Sequence, residues 1–196
     1  MRLLGEREPT LQSHLRDVGE LTAAIGRRFD LDSEQLDELR RAAELHDLGK
    51  LAIPEGILRK PGPLTEGEQR FLRQHTIIGE RILDVAPALR PVARLVRSSH
   101  ERWDGSGYPD ALAGQAIPLG SRIIAACDAY TAMLSDRPYG AARTPNGALA
   151  ELRRHSGRQF DPQVVEAIWA HMHGGSRPQA PDETGDALTE TAGPTS

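Results

Sequence analysis

Histidine and aspartate recur in this chain at positions where a helix would turn them inward. His14 lies three residues after Leu11 and four before Val18, on one apolar stripe. His75 stands four after Phe71 and three before Ile78. Asp128 follows Ile124 by four, inside an otherwise apolar run from Ile123 to Met133. His46-Asp47 ends a second amphipathic stretch, and His100 ends a fourth. A buried charge is costly unless it is paired or bound to metal. Any one of these histidines has a plain reading, as a hydrogen-bonded core residue. Four histidines and two aspartates contributed by five helices point instead to a metal centre. Imidazole nitrogen with carboxylate oxygen suits iron or manganese, zinc or nickel, and makes calcium a poor match. A carboxylate such as Asp47 can bridge two ions ~3.5–4 Å apart, the spacing of two-metal hydrolases.

The elements that must position these groups read as helices throughout. Leu11, Leu15, Val18, Leu21, Ile25 and Phe29 form a helical stripe. Asp32 or Ser33 can cap a second helix carrying Leu36, Leu39, Ala43 and Leu45, with Gly49 near its end. Thr65 and Glu68 form a capping box ahead of Phe71, Leu72, Ile78, Ile82 and Leu83, read as one helix. Pro87 opens a helix through Val92 and Val96, and Ser121 can cap one running to about Leu134. Thr144-Pro145 and Asp161-Pro162 are further cap-then-proline starts. No sustained alternation of period two is present. The expectation is an all-α single bundle of about seven helices, with long ordered loops at 50–63 and 101–120.

Composition narrows the function classes. With 24 Lys+Arg against 28 Asp+Glu the net charge is -4. From Gly174 onward one arginine faces four acidic residues, so three of those four negative charges lie there and the remainder is near -1. A near-neutral body with 4% aromatics argues against binding a DNA or RNA polymer or an acidic membrane surface. No apolar run reaches the ~18 residues of a membrane helix, and the one cysteine, Cys127, excludes an internal disulfide framework. A cytoplasmic protein is expected. Residues 1–9 read as a lead and 10–173 as one domain. Residues 174–196 read as a disordered acidic tail, because they hold too little apolar surface to offset ordering. The stripe Arg90, Arg94, Arg97 and Arg102 reads first as a solvated face and second as a positive rim for an anion.

The ordered motifs carry a resemblance. His46-Asp47-Leu48-Gly49-Lys50 resembles the HD-x-GK signature of the HD phosphohydrolase superfamily. The stretch from His100 through Gly107-Tyr108-Pro109 resembles the signature of its HD-GYP branch. Ile53-Pro54, Lys60-Pro61-Gly62-Pro63-Leu64, His75-Thr76 with Gly79, and Asp136-Arg137-Pro138-Tyr139 fall in that branch's order. The resemblance covers about residues 10–170. It implies an HD-type helical bundle with a long GYP loop. It also implies a phosphodiesterase that cuts cyclic di-GMP to linear pGpG, and on to GMP if it acts again, using two divalent cations to activate water. Family metal ligands map onto His14, His46, Asp47, His75, His100 and Asp128. Lys50 maps onto the lysine that contacts the scissile phosphate, and Arg137 onto an arginine that holds it from the other side. Gly107, Tyr108 and Pro109 line the substrate cleft. Members of the branch are often fused to regulatory domains, so control by a partner chain or a homo-oligomer is expected.

Several positions depart from the branch. Ser99-His100 replaces a frequent His-His pair. Thr10 stands where three-metal members carry Glu, which implies no third ion. Thr131 and Gly140 replace a frequent Asp and a basic residue, and Gly147 a helix-favouring one. Two other readings stay open on these grounds. One is an HD hydrolase of another phosphoester. The other is a degenerate module that binds nucleotide or a protein partner without turnover.

Overall fold

A computed structural model describes residues 9–135 and 142–175, with side chains from residue 13 onward. Nine α-helices are formed among the described residues: α1 (Pro9–Gly26), α2 (Ser33–Leu45), α3 (Glu55–Leu58), α4 (Glu66–Arg73), α5 (His75–Asp84), α6 (Arg90–Arg97), α7 (Leu119–Leu134), α8 (Pro145–Arg154) and α9 (Pro162–Met172). Short 3-10 turns precede or follow several of them, notably Leu48–Ala52 and Pro87–Leu89. The described residues form no strand. All seven expected helices are present, and the two extra ones have local causes.

The stretch expected as one helix from Thr65 to Leu83 is divided at Gln74. The Thr65–Glu68 capping box starts α4, with Glu68 Oε2 also accepting from Lys60 Nζ at 2.7 Å. At the other end of α4, the side chains of the next helix take the place of backbone amides. His75 Nδ1 lies 2.8 Å from the Leu72 carbonyl, and Thr76 Oγ1 donates to the Arg73 carbonyl at 3.3 Å. Carbonyls satisfied by side chains no longer need the next turn of helix, so the chain bends there. The other addition, α3, is a single turn inside the expected 50–63 loop.

Two expected caps are assigned differently. The N-cap of α7 is Pro118 and not Ser121, which is buried within the helix and donates Oγ to the Leu95 carbonyl at 2.9 Å. Asp32, with Gln35, makes a full capping box for α2. Gly49 does not cap α2, which ends at Leu45. It sits in the following 3-10 turn against α5, where an added Cβ would fall 1.9 Å from the His75 carbonyl oxygen. Only glycine allows that approach. Thr144 caps α8 through the Gly147 amide, and Asp161 caps α9 while its Oδ2 accepts from Arg122 at 2.6 Å.

The core runs through the middle of the bundle. Val18 and Ile25 of α1 meet Leu39 and Ala43 of α2, Val92 and Val96 of α6, Ile123 and Ile124 of α7, Leu149 and Leu152 of α8, and Val164 and Ile168 of α9. Each such buried aliphatic chain contributes about 1.5–3 kcal/mol of apolar burial. Cys127 lies in the same core, and burial pushes its thiol up to about 12. It is a small apolar residue there and no nucleophile.

The expected 101–120 loop is ordered by charge. Glu101 is only 4% exposed, and its carboxylate accepts the amides of Asp110 at 2.7 Å and Leu112 at 3.1 Å. Arg97 of α6 forks onto Asp110 at 2.7 and 2.8 Å and reaches Glu80 of α5 at 2.5 Å. The amides of Trp103 and Asp104 donate to the carbonyls of Gln159 and Arg158. A Cβ on Gly107 would fall 2.3 Å from the Arg102 nitrogen, so this turn also requires glycine.

Three substitutions test this account. Gly49→Ala forces overpacking against backbone and is expected to cost about 1–3 kcal/mol or more. Gly67→Ala is its control, because a Cβ there meets nothing within 4 Å inside α4, and it is expected to stabilise by up to about 1 kcal/mol. Urea denaturation of both variants measures the contrast. Glu101→Gln turns one acceptor of two amides into a donor and is expected to cost about 1–3 kcal/mol. Hydrogen exchange should show faster exchange at Asp110 and Leu112 before any loss in the core.

Candidate metal centre

The six predicted ligands converge from α1, α5, α7 and the two chain reversals after α2 and α6. Asp47 lies between them. Its Oδ1 faces His75 Nε2 at 3.5 Å and His100 Nε2 at 3.9 Å. Its Oδ2 faces His46 Nε2 at 3.6 Å and accepts a hydrogen bond from Lys50 Nζ at 2.6 Å. Asp128 Oδ1 lies 3.0 Å from His14 Nε2 and 3.8 Å from His46 Nε2. Thus His46 stands between the two carboxylates, with His14 beyond Asp128 and His75 and His100 on the far oxygen of Asp47.

The imidazoles are oriented from behind. His46 Nδ1 lies 2.7 Å from the Ala43 carbonyl, and His75 Nδ1 2.8 Å from that of Leu72. A nitrogen facing a carbonyl must carry the proton and donate it, which leaves Nε2 with a lone pair toward the aspartates. Burial, then the neighbouring His100, lowers His75 to about 4, so it is neutral and able to ligate at pH 7. Burial alone would raise the Asp47 carboxyl, but His46, His100 and Lys50 outweigh it and hold it well below the usual carboxylate range. Asp128 is raised by burial and lowered by His14 and His46, with a net lowering.

These residues fit a divalent cation. Asp47 Oδ1, His75 Nε2 and His100 Nε2 are buried without a hydrogen-bond partner and face one another, and each is an atom type that can ligate a cation. Ligand atoms of His46, Asp47 and His100 lie within 4.8 Å of one another, close enough to share an ion. Buried orphans of one kind are costly, and a cation would satisfy them together.

The GYP loop closes one side. Tyr108 stacks on the His100 ring at 5.2 Å and 10°, and its amide donates to the His100 carbonyl at 3.3 Å. Burial, then Asp47, raises its phenol to about 12, so it remains a neutral donor. A cleft beside the histidines is lined by His46, Ser99, His100, Tyr108, Asp128 and Phe160. Gly107 and Pro109 shape the turn and bring no polar side chain. Arg137 lies outside the described residues, as do Gly140 and the chain after Gly175.

The substituted positions are also placed. Ser99 is buried and donates Oγ to the Val96 carbonyl at 2.9 Å. Thr131 likewise bonds back to the Cys127 carbonyl within α7. The arginine stripe is largely neutralised locally. Arg97 is held by Glu80 and Asp110, Arg102 by Asp104 and Ser106, and Arg90 lies 3.5 Å from Asp84. These pairs favour the solvated-face reading over a free positive rim. Sequence reasoning missed Glu101 as the anchor of the loop. Its signal was an acidic residue directly after a ligand histidine and ahead of a Gly-rich turn.

Residues 1–164 match the family model described as HD domain. A protein named cyclic di-GMP phosphodiesterase response regulator RpfG, from Xanthomonas campestris pv. campestris, is 40% identical over 169 residues, 85% of this chain and 45% of that protein. A cyclic di-GMP phosphodiesterase of Thermotoga maritima is 40% identical over 171 residues, 86% of this chain and 46% of its own length. The chain therefore spans about half the length of these curated relatives. The crystal structure of a cyclic GMP-AMP specific phosphodiesterase of V. cholerae superposes with a TM-score of 0.67 at 21% identity, over 82% of this chain and 44% of that one, which supports the fold. No helix among the described residues is long and apolar enough to cross a membrane. With its HD-x-GK turn, its GYP loop and a match across most of its length, the chain belongs to the HD domain family.

Proposed function

We propose that this chain is a metal-dependent phosphodiesterase that hydrolyses cyclic di-GMP to linear pGpG. One observation carries the reading: a single half-buried carboxylate, Asp47, presents one oxygen to His75 and His100 and the other to His46 and Lys50. That is the disposition a bridging ligand needs, with His14 and Asp128 completing the set on the His46 side. The ligands fit two divalent cations, of iron or manganese by preference and zinc or nickel next. When bound, such ions supply an activated water and polarise phosphoryl oxygens. The 40% identity to cyclic di-GMP phosphodiesterases supports a cyclic dinucleotide as the substrate.

The chain's own residues then divide the work. Lys50 holds Asp47 with one of its three N–H donors and is 39% exposed, so the others can reach a phosphoryl oxygen. Its positive charge offsets the negative charge that builds on that oxygen. Arg137 is assigned the opposite side of the phosphate. Tyr108, fixed by its stack on His100, forms the wall against which the dinucleotide rests, with Gly107 and Pro109 keeping the loop tight. Phe160 closes the cleft. A cytoplasmic setting and a regulatory partner chain or homo-oligomer remain part of the proposal. So does one domain over 10–173.

A second reading rests on Ser99 and Thr131, whose hydroxyls are both given to helix carbonyls. It makes the chain a module that binds cyclic dinucleotide without turnover. Metal analysis with a turnover assay separates the two. About two equivalents of metal and formation of pGpG support the enzyme; neither, after anaerobic reconstitution, supports the module.

Asp47→Asn removes the charge that faces all three imidazoles, and is expected to empty the site and abolish turnover with the helical spectrum unchanged. Wild-type metal content in this variant would sink the bridging assignment. Lys50→Ala is expected to lose ~2–4 kcal/mol of transition-state stabilisation while keeping its metal at pH 7.5. Lys50 also lowers Asp47, so its removal lets Asp47 take a proton at higher pH. Metal should then be released at higher pH than in the wild type during an acid titration. Identical release curves would show that Lys50 does not govern that carboxylate.

A further inference from the structure

Arg73, the last residue of α4, has no role in the site as described so far. Its guanidinium lies over the Tyr108 ring, 5.2 Å from the centroid, and the same ring stacks on His100 at 5.2 Å. The guanidinium is therefore within about 10 Å of a proposed metal ligand. Several other cations on the segments that build the site are engaged: Lys50 by Asp47, Lys60 by Glu68, Arg97 by Glu80 and Asp110, Arg102 by Asp104, and Arg122 by Asp161. Arg73 is exposed, and among the described residues its side chain makes no ion pair or hydrogen bond. An arginine stacked on an aromatic face keeps its in-plane donors free and already oriented. Those donors fit a phosphate, which they can hold through two parallel hydrogen bonds.

A cyclic dinucleotide carries two phosphates on one ring. If one lies at Asp47 and Lys50, the other needs a cation some distance away on the same cleft wall. We infer that Arg73, poised on Tyr108, binds the second, non-scissile phosphate of the substrate. This rests on the cyclic dinucleotide reading above. It gives the contact of Arg73 with the Tyr108 ring a purpose: through Tyr108 and His100 it sets the spacing between the cutting site and the holding site. It also places part of the proposed substrate's recognition on α4, outside the HD and GYP motifs.

The experiment uses the full, metal-loaded chain. Binding of the phosphorothioate analogue of cyclic di-GMP is measured by calorimetry, and turnover of cyclic di-GMP is measured alongside. Arg73→Ala is expected to raise both Kd and KM about 10- to 100-fold, the range of one charge-assisted contact. It should change kcat by no more than about threefold, because the contact is the same in ground and transition states. Arg73→Gln should behave like Arg73→Ala, and Arg73→Lys should recover part of the affinity, through its charge and without the planar fork. Kd within about twofold of wild type in Arg73→Ala would overturn the inference. So would an Arg73→Lys variant as weak as Arg73→Ala, which would point to recognition of a base by the planar fork. A fall in kcat with unchanged KM would also overturn it. A wild type that binds the analogue without cutting cyclic di-GMP would refute the phosphodiesterase reading while the Arg73 effect on Kd still decides this one. A wild type that does not bind the analogue would overturn both.

Discussion

A half-buried carboxylate with one unpartnered oxygen is the constraint around which this bundle is arranged. Asp47 sits in the turn between α2 and the Leu48–Ala52 segment, where one of its oxygens has no hydrogen bond and the other is held by Lys50. Burial opposes the charge, and His46, His100 and Lys50 together keep the group ionised. His46 and Lys50 are local, but His100 comes from a segment distant in sequence, so the turn after α6 must close onto the Asp47 turn before the charge is fully compensated. The closing contact is backbone on backbone. Gly49 lies against the His75 carbonyl at a distance no side chain could enter, which brings the Asp47 turn and α5 into register. The same contact that seats a turn on a helix therefore sets the distance between Asp47 and His75.

The ligands also belong to the fold's own hydrogen bonding. His46 and His75 each direct Nδ1 to the carbonyl three residues earlier, at the end of α2 and at the end of α4. One ring thus does two things: it satisfies a terminal carbonyl and aims Nε2 at Asp47. This economy explains why helix ends, and not helix middles, supply these two ligands. It also explains the break at Gln74. A helix that ran on unbroken would have claimed the Leu72 carbonyl with an amide and left the His75 ring unanchored. Ser99 follows the same pattern with a hydroxyl on the Val96 carbonyl, so its local bond is satisfied without any ion.

The all-α class and the inward stripe of His14, His75 and Asp128 were legible because period and burial are properties of short windows. Their mutual distances were not legible from the stripes; the order of motifs along the chain supplied the expectation that they meet. The break at Gln74 was hidden because it depends on side chains replacing amides, while Phe71, Leu72 and Ile78 continue the helical period across it. The role of Ser121 was misjudged for a related reason. A serine near a helix start reads as a cap, but here the hydroxyl answers Leu95 of another helix, a partner no local window contains. Glu101 was hidden by its type, since an acidic residue in a loop ordinarily faces water. Its burial follows from two loop amides that would otherwise have no acceptor.

The loop and the metal centre cannot vary independently. His100 supplies a ring to Asp47, a stacking face to Tyr108 and a carbonyl to the Tyr108 amide. Glu101, the next residue, gathers the amides beyond the Gly107-Tyr108-Pro109 turn, and Arg97 in the preceding helix clamps Asp110. Tyr108, Asp110 and Leu112 are thereby referred to one short stretch of backbone around His100. A shift of that stretch moves a proposed ligand and the proposed substrate wall by the same vector. Such coupling fixes the distance from Asp47 to the wall by the same contacts that order the loop, which the proposed dinucleotide substrate, of fixed size, requires.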